Sequence, residues 1–386
     1  MSLKRERNIS PPPNKRRKLS DAVPDIRNMS QIDVSKSSSA LLCPSIRIFS
    51  WNVNGIAPFL QKSISSFFSP VSNTSNIKSS VGAVKVRNIS PPRPTASIRS
   101  FLQRHRWPHA VLLQEVKINS QDERTKRAVQ VAVNGRISTQ DDGPDYVVHL
   151  TLPEDKSNVR GFGGKMYGVA SIIRSDFYEK QIERVRTVEW DREGRVNIIE
   201  TKDRTALFNI YAVNGTTNPY RSPASGKTIG TRHDRKLAFH RHLLDECQRL
   251  ERDGWQLILA GDFNIARNRI DGHPNLREYP TQHVFNRADF NRKFFEDEEG
   301  LAGIDVFRYL KGDEKRYTYH PRGREWGSSC DRVDFIITSK SLVAEGRLVD
   351  ADILDSAKER GPSDHVPIWV EVKPQLRPES AEQRKE

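Results

Sequence analysis

The chain has 386 residues, 35% of them hydrophobic, with 63 Lys and Arg against 49 Asp and Glu and a net charge of +14. This suits one large α/β domain or two average ones and excludes disorder throughout, while the lack of any apolar run near the ~18 residues of a spanning helix argues against a membrane span. Cys43, Cys247 and Cys330 have no metal-ligand spacing and fit reduced thiols in an intracellular compartment better than a secreted disulfide framework, and no signal-peptide pattern opens the sequence.

Residues 1–44, rich in Ser, Pro, Lys and Arg, cannot offset the entropy of ordering and are expected to form a disordered basic arm. Within it, Lys4-Arg5 and Lys15-Arg16-Arg17-Lys18 stand nine residues apart, which reads as a bipartite nuclear-import signal over residues 4–18 and predicts an import-receptor partner and a nuclear location. Folded structure is expected over 45–372, followed by a disordered tail, 373–386. The mild positive charge left in the body suits a polyanionic partner, because each phosphate contact releases counterions.

In chain order, a first strand is expected from Ile46 to Asn54. A Ser-rich segment, 61–97, reads as a flexible insert in which Arg87 to Pro92 repeats Arg7 to Pro12 as paired Ser-Pro sites. A helix follows over Ser97–His105, a strand at Val111–Glu115, a charged helix at Asp122–Val133 and a strand at Tyr146–Leu150. Tyr167–Ile173, Arg195–Thr201 and Ala206–Val213 read as further strands. Thr231 and Asp234 have capping-box spacing for a helix expected to carry Leu237, Leu243, Leu244, Cys247 and Leu250 on one face. Strands at Trp255–Ala260, Arg332–Thr338 and Val366–Val372 complete two sheets packed face to face under outer helices.

Nearly every strand ends in carboxylates or amides that an apolar strand does not need: Asn52 and Asn54, Glu115, Tyr211 and Asn214, Asp262 and Asn264, Asp364 and His365. Singly these residues are turn formers or caps. Together they form a chemical set. Glu115 offers a hard oxygen to a divalent ion, Asp262 can orient or deprotonate a water, Asn214 and Asn264 can donate to phosphate oxygens, and His365 can do so with charge if Asp334 supports it. With no activated Ser or Cys, no P-loop and no zinc pattern, a directly attacking water is expected.

The ordered series Trp51-Asn52-Val53-Asn54-Gly55, Leu113-Gln114-Glu115, Tyr211-Ala212-Val213-Asn214, Gly261-Asp262-Phe263-Asn264, Arg332-Val333-Asp334 and Ser363-Asp364-His365 resembles the endonuclease/exonuclease/phosphatase superfamily, DNase I-like in fold. Within it the chain is similar to the exonuclease III branch of apurinic/apyrimidinic endonucleases, from about Ile46 to Val372. Asp271, Asn286 to Phe290, Asp305 to Arg308 and Tyr317 to Tyr319 extend the likeness. The resemblance implies a four-layer α/β sandwich, two mixed sheets flanked by helices, and Mg²⁺-dependent phosphodiester hydrolysis of DNA, with Mn²⁺ as a substitute ion. It assigns Asn52, Glu115, Asp262, Asn264, Asp364 and His365 to the metal shell and Tyr211 and Asn214 to the scissile phosphate. Asp262 would align the water, Asn264 stabilise the transition state, and Asp334 orient His365.

Three departures bear on specificity: Cys330-Asp331 stands where branch members carry a Trp walling an abasic-sugar pocket, Val213 replaces a Pro, and His320 replaces an aromatic residue. Abasic-site selectivity is therefore left open. Gln61, Ile64, Phe67 and Phe68 fit a pattern that resembles a PCNA-interacting peptide, in which one 3₁₀ turn would gather the three apolar groups into a plug. The expectation is a monomeric nuclear DNA phosphodiesterase of base excision repair recruited by PCNA. Two alternatives stand beside it: a phosphoesterase acting on inositol phosphates or another phosphodiester, and a non-catalytic clamp- or DNA-binding scaffold.

Overall fold

A computed structural model describes residues 45–60, 96–136, 141–158 and 167–375. The basic arm with its import signal, the clamp peptide at 61–68 and residues 376–386 lie outside the described residues. All described residues fall in one compact unit, Cys43–Glu386.

The first half supplies β1 (Ile46–Asn52), α1 (Ile98–Arg104), β2 (Ala110–Gln114), α2 (Glu123–Asn134), β3 (Tyr146–Thr151), β4 (Val169–Arg174) and α3 (Ser175–Gln181). Next come β5 (Ile182–Thr187), β6 (Val196–Thr201), β7 (Thr205–Tyr211), a hairpin of β8 (Pro219–Arg221) and β9 (Thr228–Thr231), α4 (Arg232–Arg252) and β10 (Gln256–Asp262). The last third holds β11 (Gly272–His273), α5 (Gln282–Asn291), β12 (Ile304–Asp305), α6 (Val306–Lys311), β13 (Cys330–Asp331) and β14 (Asp334–Thr338). It closes with α7 (Lys340–Ala344), β15 (Leu348–Ile353), α8 (Ala357–Arg360) and β16 (Ile368–Val372).

One six-stranded sheet has the order β15-β16-β1-β2-β4-β3 and the other β12-β14-β10-β7-β6-β5. Both are mixed, because β1 runs parallel to β2 and β7 parallel to β10 while the other pairs are antiparallel. Between the sheets, Ile48, Leu112 and Ile173 pack with Leu207, Ile258 and Ile336. The outer face of the first sheet is covered by Phe101 and Leu102 of α1 and Val129 and Val133 of α2, that of the second by Phe239, Leu243 and Cys247 of α4 and Phe290 of α5. This is the expected four-layer α/β sandwich, and burying each such side chain stabilises it by about 1.5–3 kcal/mol.

The local signals act where the sequence placed them. Ser97 and Asp122 accept backbone N–H groups at the starts of α1 and α2, and Thr231 and Asp234 form the full capping box of α4. The apolar face of α4 differs from expectation at its N-terminal half. There it buries His233, Arg235, Lys236 and His240, and Leu237 is only half-buried. Strands β5 and β15, helix α3 and helix α5 occupy segments that the sequence did not resolve into elements.

A belt of buried polar groups crosses the space between the sheets. Gln114 Nε2 donates to Ser50 Oγ (3.1 Å) and Asn209 Oδ1 (2.8 Å), Asn209 Nδ2 to Ser171 Oγ (3.2 Å), and Ser171 Oγ to Asn197 Oδ1 (2.9 Å). Apart from Gln114 Oε1, the amide atoms of the belt all find partners, so it fixes the register of one sheet on the other at little cost to the core.

Candidate active site

The parallel pairs decide where the site lies. Asn52 ends β1 and pairs with Gln114, immediately before Glu115, while Asp262 ends β10 and pairs with Tyr211 on one side and Asp334 on the other. Both sheets therefore present carboxylates and amides at the same mouth. The turns there are left-handed, with φ of +49° at Asn54, +51° at Glu115 and +54° at Asn264. A glutamate in this region carries strain that persists only where its surroundings over-determine it. Gly261 is required for another reason: a Cβ there would lie 1.8 Å from the Ile210 carbonyl oxygen, so only glycine lets β10 close on β7 just before Asp262.

The geometry links the residues into one network. Asn52 Nδ2 donates to Asp262 Oδ2 at 2.9 Å, and the Asn264 backbone N–H donates to Asp262 Oδ1 at 2.8 Å. His365 Nδ1 lies 2.7 Å from Asp334 Oδ2, and His365 Nε2 lies 4.0 Å from Asp262 Oδ2. Tyr211 OH donates to Glu115 Oε1, whose other oxygen meets Lys117 Nζ at 2.8 Å. Lys117 also reaches Asn54 Oδ1, and Asn54 Nδ2 donates to Asp364 Oδ1 at 2.9 Å. A cleft of about 260 Å³ opens over Glu115, Asn214, Asp262, Asn264, Asp364 and His365. Glu115 and Asn214 also border an adjoining groove, lined with Tyr211, Lys117, Arg221 and Arg232.

Every residue expected in the site is thus at this mouth, though not every side chain is free. Both hydrogens of the Asn264 amide are committed, to Ala212 O at 3.0 Å and to Asp262 Oδ2 at 3.3 Å, so its nitrogen fixes Asp262 in place. Asn52 is likewise engaged at both ends, its oxygen accepting from the Asn54 N–H at 2.9 Å.

The electrostatics separate the titrating groups. Burial and the adjacent Asp334 carboxylate push Asp262 up to about 7. Burial opposes the charge on His365, yet Asp334, with Asp262 and Asp364, holds its imidazolium up to about 10. Burial penalises ionised Glu115, but Lys117 keeps its carboxyl below the usual value, and burial with Glu115 raises the Tyr211 hydroxyl well above its own. Asp262, Asp334 and His365 offer ligand atoms within 4.8 Å of one another, an arrangement able to hold a cation.

Several residues that hold the site were not singled out from sequence. Arg195 donates to the Tyr211 carbonyl at 3.2 Å and lies over its ring, tethered in turn by Glu193. Lys236 is fully buried and donates to the carbonyls of Phe263 (3.3 Å) and Asn264 (2.9 Å), beneath the turn that carries Asp262; burial pulls its ammonium down to about 7. Thr318 Oγ1 accepts the N–H groups of Val333 and Asp334, and Ser363 Oγ ties the last segment to Asn52 O at 2.6 Å. Arg332 is buried between Asp271 and Asp305, with contacts of 2.7 Å to each, which anchors the approach to Asp334. Lys117, two residues from Glu115, and Arg332, Thr318 and Ser363, inside the quoted motifs, had a local signal that could have found them; Arg195 and Lys236 had none. As to the departures, Asp331 does line the cleft, whereas His320 turns away and stacks on Trp326 at 3.7 Å.

Residues 49–365 match the Endonuclease/Exonuclease/phosphatase family. The exodeoxyribonuclease III of Haemophilus influenzae is 24% identical over 215 residues, covering 54% of this chain and 77% of that protein. The fold is shared with the Xenopus laevis APE2 catalytic domain (TM-score 0.55, 18% identity, 87% of this chain and 94% of that one). It is shared also with an AP endonuclease from Archaeoglobus fulgidus (TM-score 0.51, 19% identity, 84% and 98%). The chain therefore belongs to the endonuclease/exonuclease/phosphatase family.

Proposed function

We propose that the chain is a Mg²⁺-dependent DNA phosphodiesterase of base excision repair, acting as an apurinic/apyrimidinic endonuclease, a 3′-exonuclease or a 3′-end-processing enzyme. The observation that carries this reading is the convergence of two groups, with His365 Nε2 4.0 Å from Asp262 Oδ2 and its Nδ1 2.7 Å from Asp334 Oδ2. A buried carboxylate whose pKa burial raises, placed to accept a proton, stands beside an imidazole that Asp334 holds as a charged donor. Asp262, steadied by Asn52 and Asn264, takes the proton of the attacking water. The His365 imidazolium, oriented by Asp334, and the exposed Asn214 amide donate to the oxygens of the five-coordinate phosphorus. Tyr211 stays protonated and holds Glu115.

The donor set suits a hard divalent ion. Glu115 and Asp364 are half-buried carboxylates at the cleft, the second oxygen of Asp364 has no hydrogen-bond partner among the described residues, and the Asn264 amide oxygen adds a neutral donor. When bound, such an ion would neutralise charge on the phosphate and the leaving oxygen. Of the wider ligand set expected from sequence, Asn52 is engaged at both ends, Asp262 serves as the base and His365 as the charged donor, so this proposal leaves the ion to Glu115, Asp364 and Asn264.

The substrate reading is tested on end-labelled duplexes that carry an abasic analogue, a nick, a 3′-blocked end or no lesion, with Mg²⁺, Mn²⁺ or EDTA. Metal-dependent cleavage of at least one duplex is expected, and the preferred duplex names the lesion. Hydrolysis confined to inositol phosphates would overturn the DNA reading. PCNA recruitment through Gln61, Ile64, Phe67 and Phe68 and nuclear import through residues 4–18 rest on sequence pattern. Phe67→Ala with Phe68→Ala is expected to abolish PCNA binding, and deletion of residues 1–18 to leave the protein outside the nucleus.

A further inference from the structure

The cleft extends past the reacting groups. Beyond Asp262 and His365 it is lined by Arg277, His283, Asn286, Arg287 and Asp331: β11 pairs with β13, which carries Asp331, and α5 supplies His283, Asn286 and Arg287. Arg287 is a fixed wall: Nε donates to Ala266 O at 2.8 Å and Nη2 to Arg277 O at 2.5 Å, while Nη1 has no hydrogen-bond partner among the described residues. Arg277 is exposed, and its guanidinium likewise makes no hydrogen bond among the described residues.

One carboxylate lines this end, Asp331, whose carboxyl burial pushes up while Arg277 and Arg287 oppose the shift. Glu278 also faces Arg287, from outside the lining. Two guanidiniums with N–H groups unbonded among the described residues line this end of the cleft. His283 is drawn down to about 4 by burial and then by Arg277, His233, Lys236 and Arg287. An uncharged sugar placed here would desolvate unpaired guanidinium donors, whereas a phosphate would meet them with charge-assisted bonds.

We propose that this end of the cleft is a second phosphate subsite, in which Arg277 and Arg287 take the phosphate one sugar away from the reacting one. The placement of the reacting phosphate rests on the phosphodiesterase reading above. The second phosphate can be a terminal monoester or the next diester of the strand, and the two sources are separable.

The test is calorimetric titration of the full chain in EDTA with thymidine 5′-monophosphate, thymidine 3′,5′-bisphosphate and 5′-phosphorylated dithymidylate. Either two-phosphate ligand is expected to bind about tenfold or more tightly than the monophosphate, the gain of a charge-assisted pair. Arg277→Gln is expected to shrink that gap to about threefold or less, and Arg277→Lys to keep part of it. The bisphosphate binding tightest assigns the subsite to a terminal monoester; equal gain with the dinucleotide assigns it to the diester. Equal binding of all three ligands by the natural protein, or a gap that survives Arg277→Gln, overturns the subsite. Because binding is read without metal or turnover, a chain that shows the gap yet cleaves no DNA refutes the phosphodiesterase reading alone, and one that cleaves DNA without the gap refutes the subsite alone.

Discussion

His365 shows what one side chain needs in order to work here. Burial alone would discharge its imidazole, and the Asp334 carboxylate 2.7 Å from Nδ1 is the main reason it stays protonated to about 10. Replacing that acid, Asp334→Asn, leaves the burial and removes the opposing charge, so the group is expected to lose its proton near or below the ordinary value of about 6.5. In a pH–rate profile the alkaline limb, near pH 10 in the natural protein, should then move into the neutral range, with a loss of about 10²-fold at pH 8. An alkaline limb that stays in place would show that His365 is not the charged donor. Sequence disclosed this pair because both residues adjoin apolar strands that have no use for polar groups. It did not disclose Lys236 or Arg195, whose partners, the carbonyls of 263–264 and 211, are reached only through packing.

At the scale of elements, the site depends on what holds strand ends together. Arg332 is buried against Asp271 and Asp305, and Arg267 and Arg308 extend the network, reaching Asp305 and Asp271 at 2.9 and 2.7 Å. Arg332→Met would leave two carboxylates with fewer partners. A loss of about 3–5 kcal/mol in denaturant unfolding is expected, together with loss of activity, because β14 carries Asp334. The cap of α4 is separable from this: Thr231→Ala should cost about 1 kcal/mol and leave the cleft unchanged. The contrast also explains which elements could be read. Helices with caps and strands with apolar runs announced themselves, whereas β5 and β15 are edge strands with polar residues on one face, and α5 leaves Val284 and Phe285 exposed while burying Phe290 beside Asn286 and Asn291, so its apolar residues trace no single buried face.

For the molecule as a whole, stability should depend on pH through histidines kept neutral by the fold. His109 Nδ1 accepts the Arg47 N–H at 3.0 Å, which requires it unprotonated, and burial, aided by Arg174, lowers it to about 4. Burial lowers His240 to about 4 as well, despite the Asp289 carboxylate at 2.9 Å. The unfolded chain takes up these protons near pH 6.5 and the folded one only near 4. Their contribution is therefore complete above about 6.5 and is lost as pH falls toward 4. The melting temperature should drop across that window, and His109→Gln should flatten the drop. Two sheets under outer helices were legible because strand-rich halves are joined by helices, and the four-layer sandwich followed from the ordered motifs. The cationic end of the cleft was not, since Arg277, Arg287 and Asp331 become neighbours only when β11 and β13 pair.

The central claim is that one mouth, shared by both sheets, hydrolyses a phosphodiester with Asp262 as the group that activates water. Its most direct test is the single-turnover rate of the natural protein and of Asp262→Ala on the best-cleaved duplex, with Mg²⁺ and with EDTA, at about pH 8 and saturating enzyme. The account predicts cleavage that EDTA abolishes and that Asp262→Ala slows by about 10²-fold or more with DNA affinity retained. Equal rates for the two proteins, or cleavage undiminished by EDTA, would contradict it.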